Sequence, residues 1–330
     1  MCVTYITIED NILISQIFRY NIIISYMIIK HLVLAGGGPL GFKYLGALQQ
    51  LHDEDYWNRE NIQSIYGTSV GTIIGAFICL NHDWDTLNKY IIERPWHDAF
   101  KLKPKQLFDV YYNKGLYNES MFEILFKPLL QSKDLDTAIT LQEFYDYNNI
   151  DFHLFTFDLN TFKVLELSHT THPNISLIKA ITMSCALPGI VMPIFMDGGC
   201  YIDGGILLNY PLNSCIRDNQ NSTEILGINR NYSDNSHKHT IIKEDSSILE
   251  YIVGLTMNSI TYIGEMVNKE IIENELVIID DIQALSPETL KSVVSDSTMR
   301  AKLIQDGKTI ALKYLKCKQP TSSSVLQDSI

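Results

Sequence analysis

Apolar and polar positions fall in blocks along this chain, and the blocks read as short buried strands joined by glycine turns to amphipathic helices. HLVLA at 31–35 is a continuous apolar run, the signature of a parallel strand buried on both faces. GGGPLG breaks it, and Leu45, Leu48 and Leu51 then recur at helical spacing over 41–51. IQSIY, the turn GTSVG and an apolar helix over 72–80 repeat that order. Strand, glycine turn and helix, met twice, predict an α/β fold with a mainly parallel sheet and functional loops at the carboxyl ends of its strands.

Residues 81–149 mix aromatic and charged positions without a repeat and are expected to form helices and loops that cover the sheet. Alternation predicts strands over 151–159 and 162–168, and SLIKAITMSCA predicts a helix over 176–186 that ends before Pro188. IVMPIFM and CYI flank the turn DGG. ILGIN at 225–229 is expected as the last core strand, which bounds a main domain over 31–230. A polar linker over 231–240, a helical region over 241–317 and a disordered Ser-rich tail over 318–330 follow.

The first thirty residues are apolar, yet Gln16, Arg19 and Asn21 interrupt them, and Glu9 and Asp10 stand where a secretory signal carries basic residues. Two readings stay open: an extra strand or membrane-surface segment, or an extension ahead of a start at Met27. A segment dispensable for catalysis is the favoured expectation for 1–30, and a membrane anchor is the less favoured alternative. Of the 330 residues, 46% are hydrophobic and 19% charged, enough for one sizeable core. A net charge of -12 argues against a nucleic-acid partner, which needs a clustered basic surface. Lys101, Lys103 and Lys105 read as a solvated loop. Six cysteines are scattered singly, with no metal-ligand spacing, so neither a metal nor another cofactor is expected and a reducing, cytoplasmic compartment fits.

GTSVG, from Gly67 to Gly71, matches GxSxG, which places a serine on a tight strand-to-helix turn with glycines where side chains would collide. The helix that follows aims its positive end at Ser69. A helix-capping serine in a glycine turn is the structural alternative. In GGGPLG, Gly36, Gly37, Gly38 and Gly41 leave backbone amides uncovered, suited to an oxyanion or a phosphate. Pro39 removes one donor, which favours Gly37 and Gly38. The same glycines satisfy GxGxxG, but Asp53 and Asp55 precede the second strand and sit at its wrong end for holding a ribose. Two Asp-Gly-Gly units stand six residues apart. Asp197 lies between apolar runs and reads as a hairpin turn, whereas Asp203 follows the strand CYI, where Gly204 and Gly205 allow close backbone packing.

GGGPLG, GTSVG and IDGG occur in the order seen in patatin-like phospholipases, and the chain resembles that family over about 32–216. SCALPGIVMPIF and GGILLNYP resemble the stretches on either side of its aspartate. The resemblance implies a three-layer α/β/α fold with a helical C-terminal extension. It implies a Ser69–Asp203 dyad without histidine, so His169 and His172 take loop roles. It also implies an oxyanion loop, a lipid substrate at a membrane or micelle surface, and phospholipase A or lysophospholipase activity. Where the family often carries Arg or Lys, this chain has Leu40, which keeps a neutral-lipid or generic esterase open. An inactive lipid-binding protein is the non-catalytic alternative.

Overall fold

A computed structural model describes residues 28–100, 111–219, 221–232, 240–266, 270–280, 282, 284 and 286–318. The expectations for 1–27, for the three lysines at 101–105, for most of the polar linker and for the tail from 319 lie outside those residues. The two strand–turn–helix units stand as expected: β1 (His31–Leu34) leads to α1 (Gly41–Asp53), and β2 (Ser64–Thr68) to α2 (Val70–Leu80). Next come α3 (Trp84–Glu93), α4 (Trp96–Ala99), β3 (Gly115–Tyr117), α5 (Ser120–Gln131) and α6 (Leu141–Asn148). Thr140 and Glu143 close a reciprocal capping box on α6, which fixes where that helix begins.

Then come β4 (Asp151–Asp158), β5 (Lys163–Leu167), α7 (Leu177–Ser184), β6 (Gly189–Val191), β7 (Ile194–Met196) and β8 (Gly199–Asp203), of which β4, β5, β7 and β8 make the antiparallel pairings of the main sheet. Asp197 and Gly198 form the two-residue turn between β7 and β8, with φ of 50° and 80°. Both values suit the mirror-image turn that matches strand twist, so Asp197 is a hairpin residue, as its sequence context predicts. The chain continues through α8 (Gly205–Leu208), α9 (Leu212–Asp218), β9 (Ile225–Tyr232), α10 (Ile248–Met266), β10 (Asn274–Asp280), α11 (Pro287–Ser295) and α12 (Ser297–Lys318).

The main sheet has the order β10-β9-β1-β2-β4-β8-β7, with β5 also pairing β4. From β10 to β4 every pairing is parallel. One face packs α1, α2 and α7 over Leu32, Leu34 and Ile65, and the other packs α9 over Val33, Tyr66 and Phe155. This is the three-layer α/β/α arrangement, with helices at the C-terminal end.

Two features were not expected. ILGIN is not the last core strand, because β10 pairs parallel with β9 in full register from Asn274 with Leu226 to Asp280 with Tyr232. The C-terminal region therefore extends the sheet besides adding helices. Its residues alternate between buried and outward positions, as an edge strand's do. The short β3 pairs with β6 in a separate two-stranded ribbon.

Helix α12 crosses α1 at paired glycines. A Cβ on Gly46 would lie 2.0 Å from the Ile304 carbonyl oxygen, and one on Gly307 would lie 2.0 Å from that of Lys43. Both obstructions are backbone and neither can swing aside. Replacing Gly46 by valine is therefore expected to cost more than about 3 kcal/mol in denaturant unfolding. A loss below about 1 kcal/mol would mean that the two helices separate freely.

Candidate active site

The sheet register brings the serine and the aspartate together. Strand β4 pairs with β2 up to Thr68 opposite Phe155, and with β8 from Asp203 opposite Thr156. Because β5 occupies the other side of β4, β2 and β8 share one side, end to end. The last residue of β8 thus meets the turn that leaves β2. Ser69 Oγ donates to Asp203 Oδ2 at 2.7 Å.

Ser69 has φ 53° and ψ -126°, a strained backbone for a residue with a Cβ. The strain holds because the turn cannot relax. A Cβ on Gly71 would lie 2.2 Å from the Leu34 carbonyl oxygen, and one on Gly67 would lie 2.8 Å from the Gly71 carbonyl carbon. The two glycines of GxSxG are therefore required by contact, with α2 pressed onto β1 and β2. Ser184 adds a clamp, accepting the Ser69 N–H at 3.0 Å and donating to the Phe155 carbonyl at 2.6 Å.

Asp203 is 3% exposed. Burial raises its pKa to about 6, against the bonds from Ser69 and the Gly205 N–H and the charge of Arg230, which act the other way. Gly204 packs its backbone on Phe155, where a Cβ would lie 2.2 Å from the carbonyl oxygen. Cys185 also borders the dyad. Burial, and then the Asp203 charge, push its thiol up, which keeps it neutral and a poor nucleophile.

The four loop glycines divide into two pairs. Gly36 donates its N–H to the Asn209 carbonyl at 3.0 Å, and the Gly41 N–H turns back to the carbonyls of Gly38 and Pro39. Those two amides are committed within the protein, which removes them from the expected donor set. Gly36 instead makes room for the Asn209 side chain, and Gly41 for Val70. Among the described residues no acceptor takes the amides of Gly37 or Gly38, and both glycines line the same cavity as Ser69 and Asp203. Leu40 is fully buried and takes no part in that cavity's lining.

The cavity measures about 1300 Å³, above the roughly 300–1,000 Å³ of ordinary small-molecule sites. Its lining is largely apolar and includes Phe42, Ile73, Phe77, Phe122 and Leu125. The Patatin-like phospholipase family model matches residues 32–216, a span that contains every residue of the dyad and the glycine loop. The chain belongs to the patatin-like phospholipase family.

Membership places the chain among lipid acyl hydrolases in general terms. An uncharacterized protein of Acanthamoeba polyphaga mimivirus, R571, is 30% identical over 248 residues, covering 74% of this chain and 82% of the viral protein. A probable lipid hydrolase of Invertebrate iridescent virus 6, 463L, is 25% identical over 193 residues, covering 57% of this chain and 63% of its own length. Among solved structures, VipD from Legionella pneumophila aligns with a TM-score of 0.48 at 14% identity, over 88% of this chain and 67% of VipD.

Three residues of this patatin-like site carried no sequence signal of their own. Arg230 stands in no motif, and Ser184 and Asn209 lie unmarked within the SCALPGIVMPIF and GGILLNYP stretches. Arg230, near the carboxyl end of β9, is buried and lines the cavity. On the neighbouring strand Leu34 pairs with Ile228, so Arg230 stands level with Gly36.

The histidines near the sheet lie elsewhere. His169 Nδ1 lies 3.1 Å from Asp151, as does His153 Nε2, and His153 Nδ1 bonds Glu166 at 2.7 Å. His172 bonds Thr171. Asp151 is level with Ser64, five residues and about 17 Å along the strand from Ser69. His153, Glu166 and Asp218 are close enough to share an ion, but Arg217 bonds both carboxylates, so the group balances its own charge. Burial alone would lower the His153 pKa, yet Asp151 and Glu166 overturn that and push it up to about 9. A folded-state pKa above the unfolded 6.5 contributes stability that is complete below 6.5 and lost as pH rises through about 9. Stability should therefore fall across that window by on the order of 3 kcal/mol, lowering the thermal midpoint, and His153→Gln should remove the slope. An equal slope in the variant would assign it to other groups.

Proposed function

We propose that this chain hydrolyses carboxylic esters of lipids through a Ser69–Asp203 dyad. The observation that carries the reading is the 2.7 Å bond from Ser69 Oγ to a buried carboxylate at an apolar cavity of about 1300 Å³. Asp203 accepts the serine proton as Oγ attacks the acyl carbonyl, and the amides of Gly37 and Gly38 hold the tetrahedral oxyanion. The alcohol leaves with the proton from Asp203, giving an acyl-serine. Water then attacks with Asp203 again as base, and the fatty acid is released. The N-terminus of α2 adds its positive end to the same region.

Arg230 supports phosphate-bearing lipids as the substrate class. It sets a cation on the cavity wall near the dyad, although the glycine loop carries Leu40. Phospholipase A or lysophospholipase chemistry follows from that reading. The test presents phosphatidylcholine, lysophosphatidylcholine and triglyceride to the full chain and identifies the products by mass, with a fluorophosphonate probe mapped to its labelled peptide. Fatty acid released from the two phospholipids and label on Ser69 is the expected result. An unlabelled serine with no fatty acid from any lipid would leave a lipid-binding protein instead. Release from triglyceride alone would remove the role of Arg230.

A further inference from the structure

Helix α10 is apolar on both faces. Its inner face packs Val253, Met257 and Ile260 against Leu187, and these residues line the cavity. On the outer face Ile248, Tyr251, Leu255, Tyr262 and Met266 are each 50–71% exposed. At about 100° per residue the five fall within an arc of about 60°, which makes them one continuous stripe. No charged residue stands between Glu250 and Glu265.

The stripe adjoins the cavity. Asn258 of α10 holds Thr240 by two bonds, at 2.8 and 3.0 Å. The next residues, Ile241 and Ile242, both line the cavity and reach the surface, at 76% and 37% exposure. An apolar rim therefore joins the apolar interior to the outer stripe. A patch of this kind on a protein's surface marks a partner. Among the described residues no helix is long and apolar enough to cross a membrane, so α10 lies on its partner and does not span it. Charge selects the partner further. The stripe itself has no cation, Glu265 borders it, Lys243 beside the rim is followed by Glu244 and Asp245, and the chain carries -12, so an anionic surface would repel it. Two tyrosines supply the amphipathic rings that settle at the level of lipid headgroups.

We propose that the outer face of α10, together with Ile241 and Ile242, seats the protein on a zwitterionic lipid surface with the cavity mouth turned toward it. The substrate's route from bilayer to cavity rests on the lipid-hydrolase reading above, whereas the seating does not. Leu255 and Tyr262 lie outside the cavity lining, so a Leu255→Glu, Tyr262→Glu double variant keeps the dyad and the cavity intact.

The test has two arms. Full-length Ser69→Ala protein, with and without the double change, is floated with vesicles of phosphatidylcholine alone or mixed with phosphatidylglycerol. The chain with Ser69 intact, again with and without the change, is assayed on a short-chain ester dissolved as monomers and on phosphatidylcholine vesicles. The double change should weaken binding to phosphatidylcholine by about a hundredfold, through two lost apolar contacts and two added charges. It should lower vesicle hydrolysis in step and leave hydrolysis of the soluble ester within about twofold. Added phosphatidylglycerol should weaken binding of the unchanged stripe. Equal vesicle binding with and without the double change overturns the proposal. So does a dimer in light scattering that the change dissociates, since a second copy would then cover the stripe. Vesicle binding without hydrolysis of either substrate would sink the catalytic reading and leave the docking surface standing.

Discussion

Ser69→Ala is expected to lower kcat/KM on every ester substrate by about 10⁴-fold or more, and to abolish fluorophosphonate labelling. Both effects follow from one atom. Oγ is the nucleophile, and the neighbouring thiol of Cys185 is held neutral by burial. The fold should survive, because the turn is held from outside by Gly67, Gly71 and Ser184 and not by the serine hydroxyl. Alanine leaves the strain at φ 53° in place, whereas glycine relieves it. Ser69→Gly should therefore be equally inactive but more stable than Ser69→Ala, by about 1 kcal/mol in denaturant unfolding. Retained esterase activity in either protein would remove Ser69 from the mechanism. An order of stability opposite to this one would show that the turn is not strained in solution.

The parts of the site that the sequence made legible are those whose chemistry is local. GTSVG encodes a turn in which each glycine faces a backbone atom within a few residues or on the adjoining strand, and such contacts require glycine in any protein that builds this turn. Asp197 and Asp203 separate for a local reason as well, since one sits in a two-residue hairpin and the other ends a strand. Ser184 lies 115 residues from Ser69 and meets it only because α7 ends beside β4. A single hydroxyl in a helix carries no mark of that meeting. Asn209 and Arg230 were silent for the same reason, as their roles depend on which strand neighbours which. The loop glycines show the limit from the other side. Four uncovered amides are apparent in GGGPLG, but only the fold reveals that Asn209 and the loop's own carbonyls occupy those of Gly36 and Gly41. Strand β10 escaped because NELVIID shows no alternation, only a short apolar run over 276–279, and lies between two longer helical patterns.

Asp203→Asn separates catalysis from stability, and the two should move in opposite directions. The carboxylate is buried, with its pKa raised to about 6, so at neutral pH the folded protein holds a charge that water would solvate better. A raised carboxyl pKa means that the folded state binds its proton more tightly than the unfolded chain does. Stability therefore declines as pH rises from 3.8 through about 6, and is level above that. The deficit above pH 6 is on the order of 3 kcal/mol. Asparagine carries no charge and can still meet both neighbours, with its oxygen accepting the Gly205 N–H and its amide donating to Ser69 Oγ. The variant should therefore melt no lower than the parent at neutral pH, and higher if the buried charge is as costly as its pKa implies. Its activity should fall by about 10³-fold or more, because an amide cannot accept the serine proton. In the parent, kcat/KM should rise with pH through about 6 as the base ionises, and that limb should vanish from the residual activity of the variant. Asp197→Asn is the control, since its carboxylate is exposed in the β7–β8 turn, and it should retain both the activity and the pH limb. Equal loss in the two variants would show that the Asp-Gly-Gly stretch acts by shaping the strand hairpin, and the base would then have to be sought elsewhere on the cavity wall.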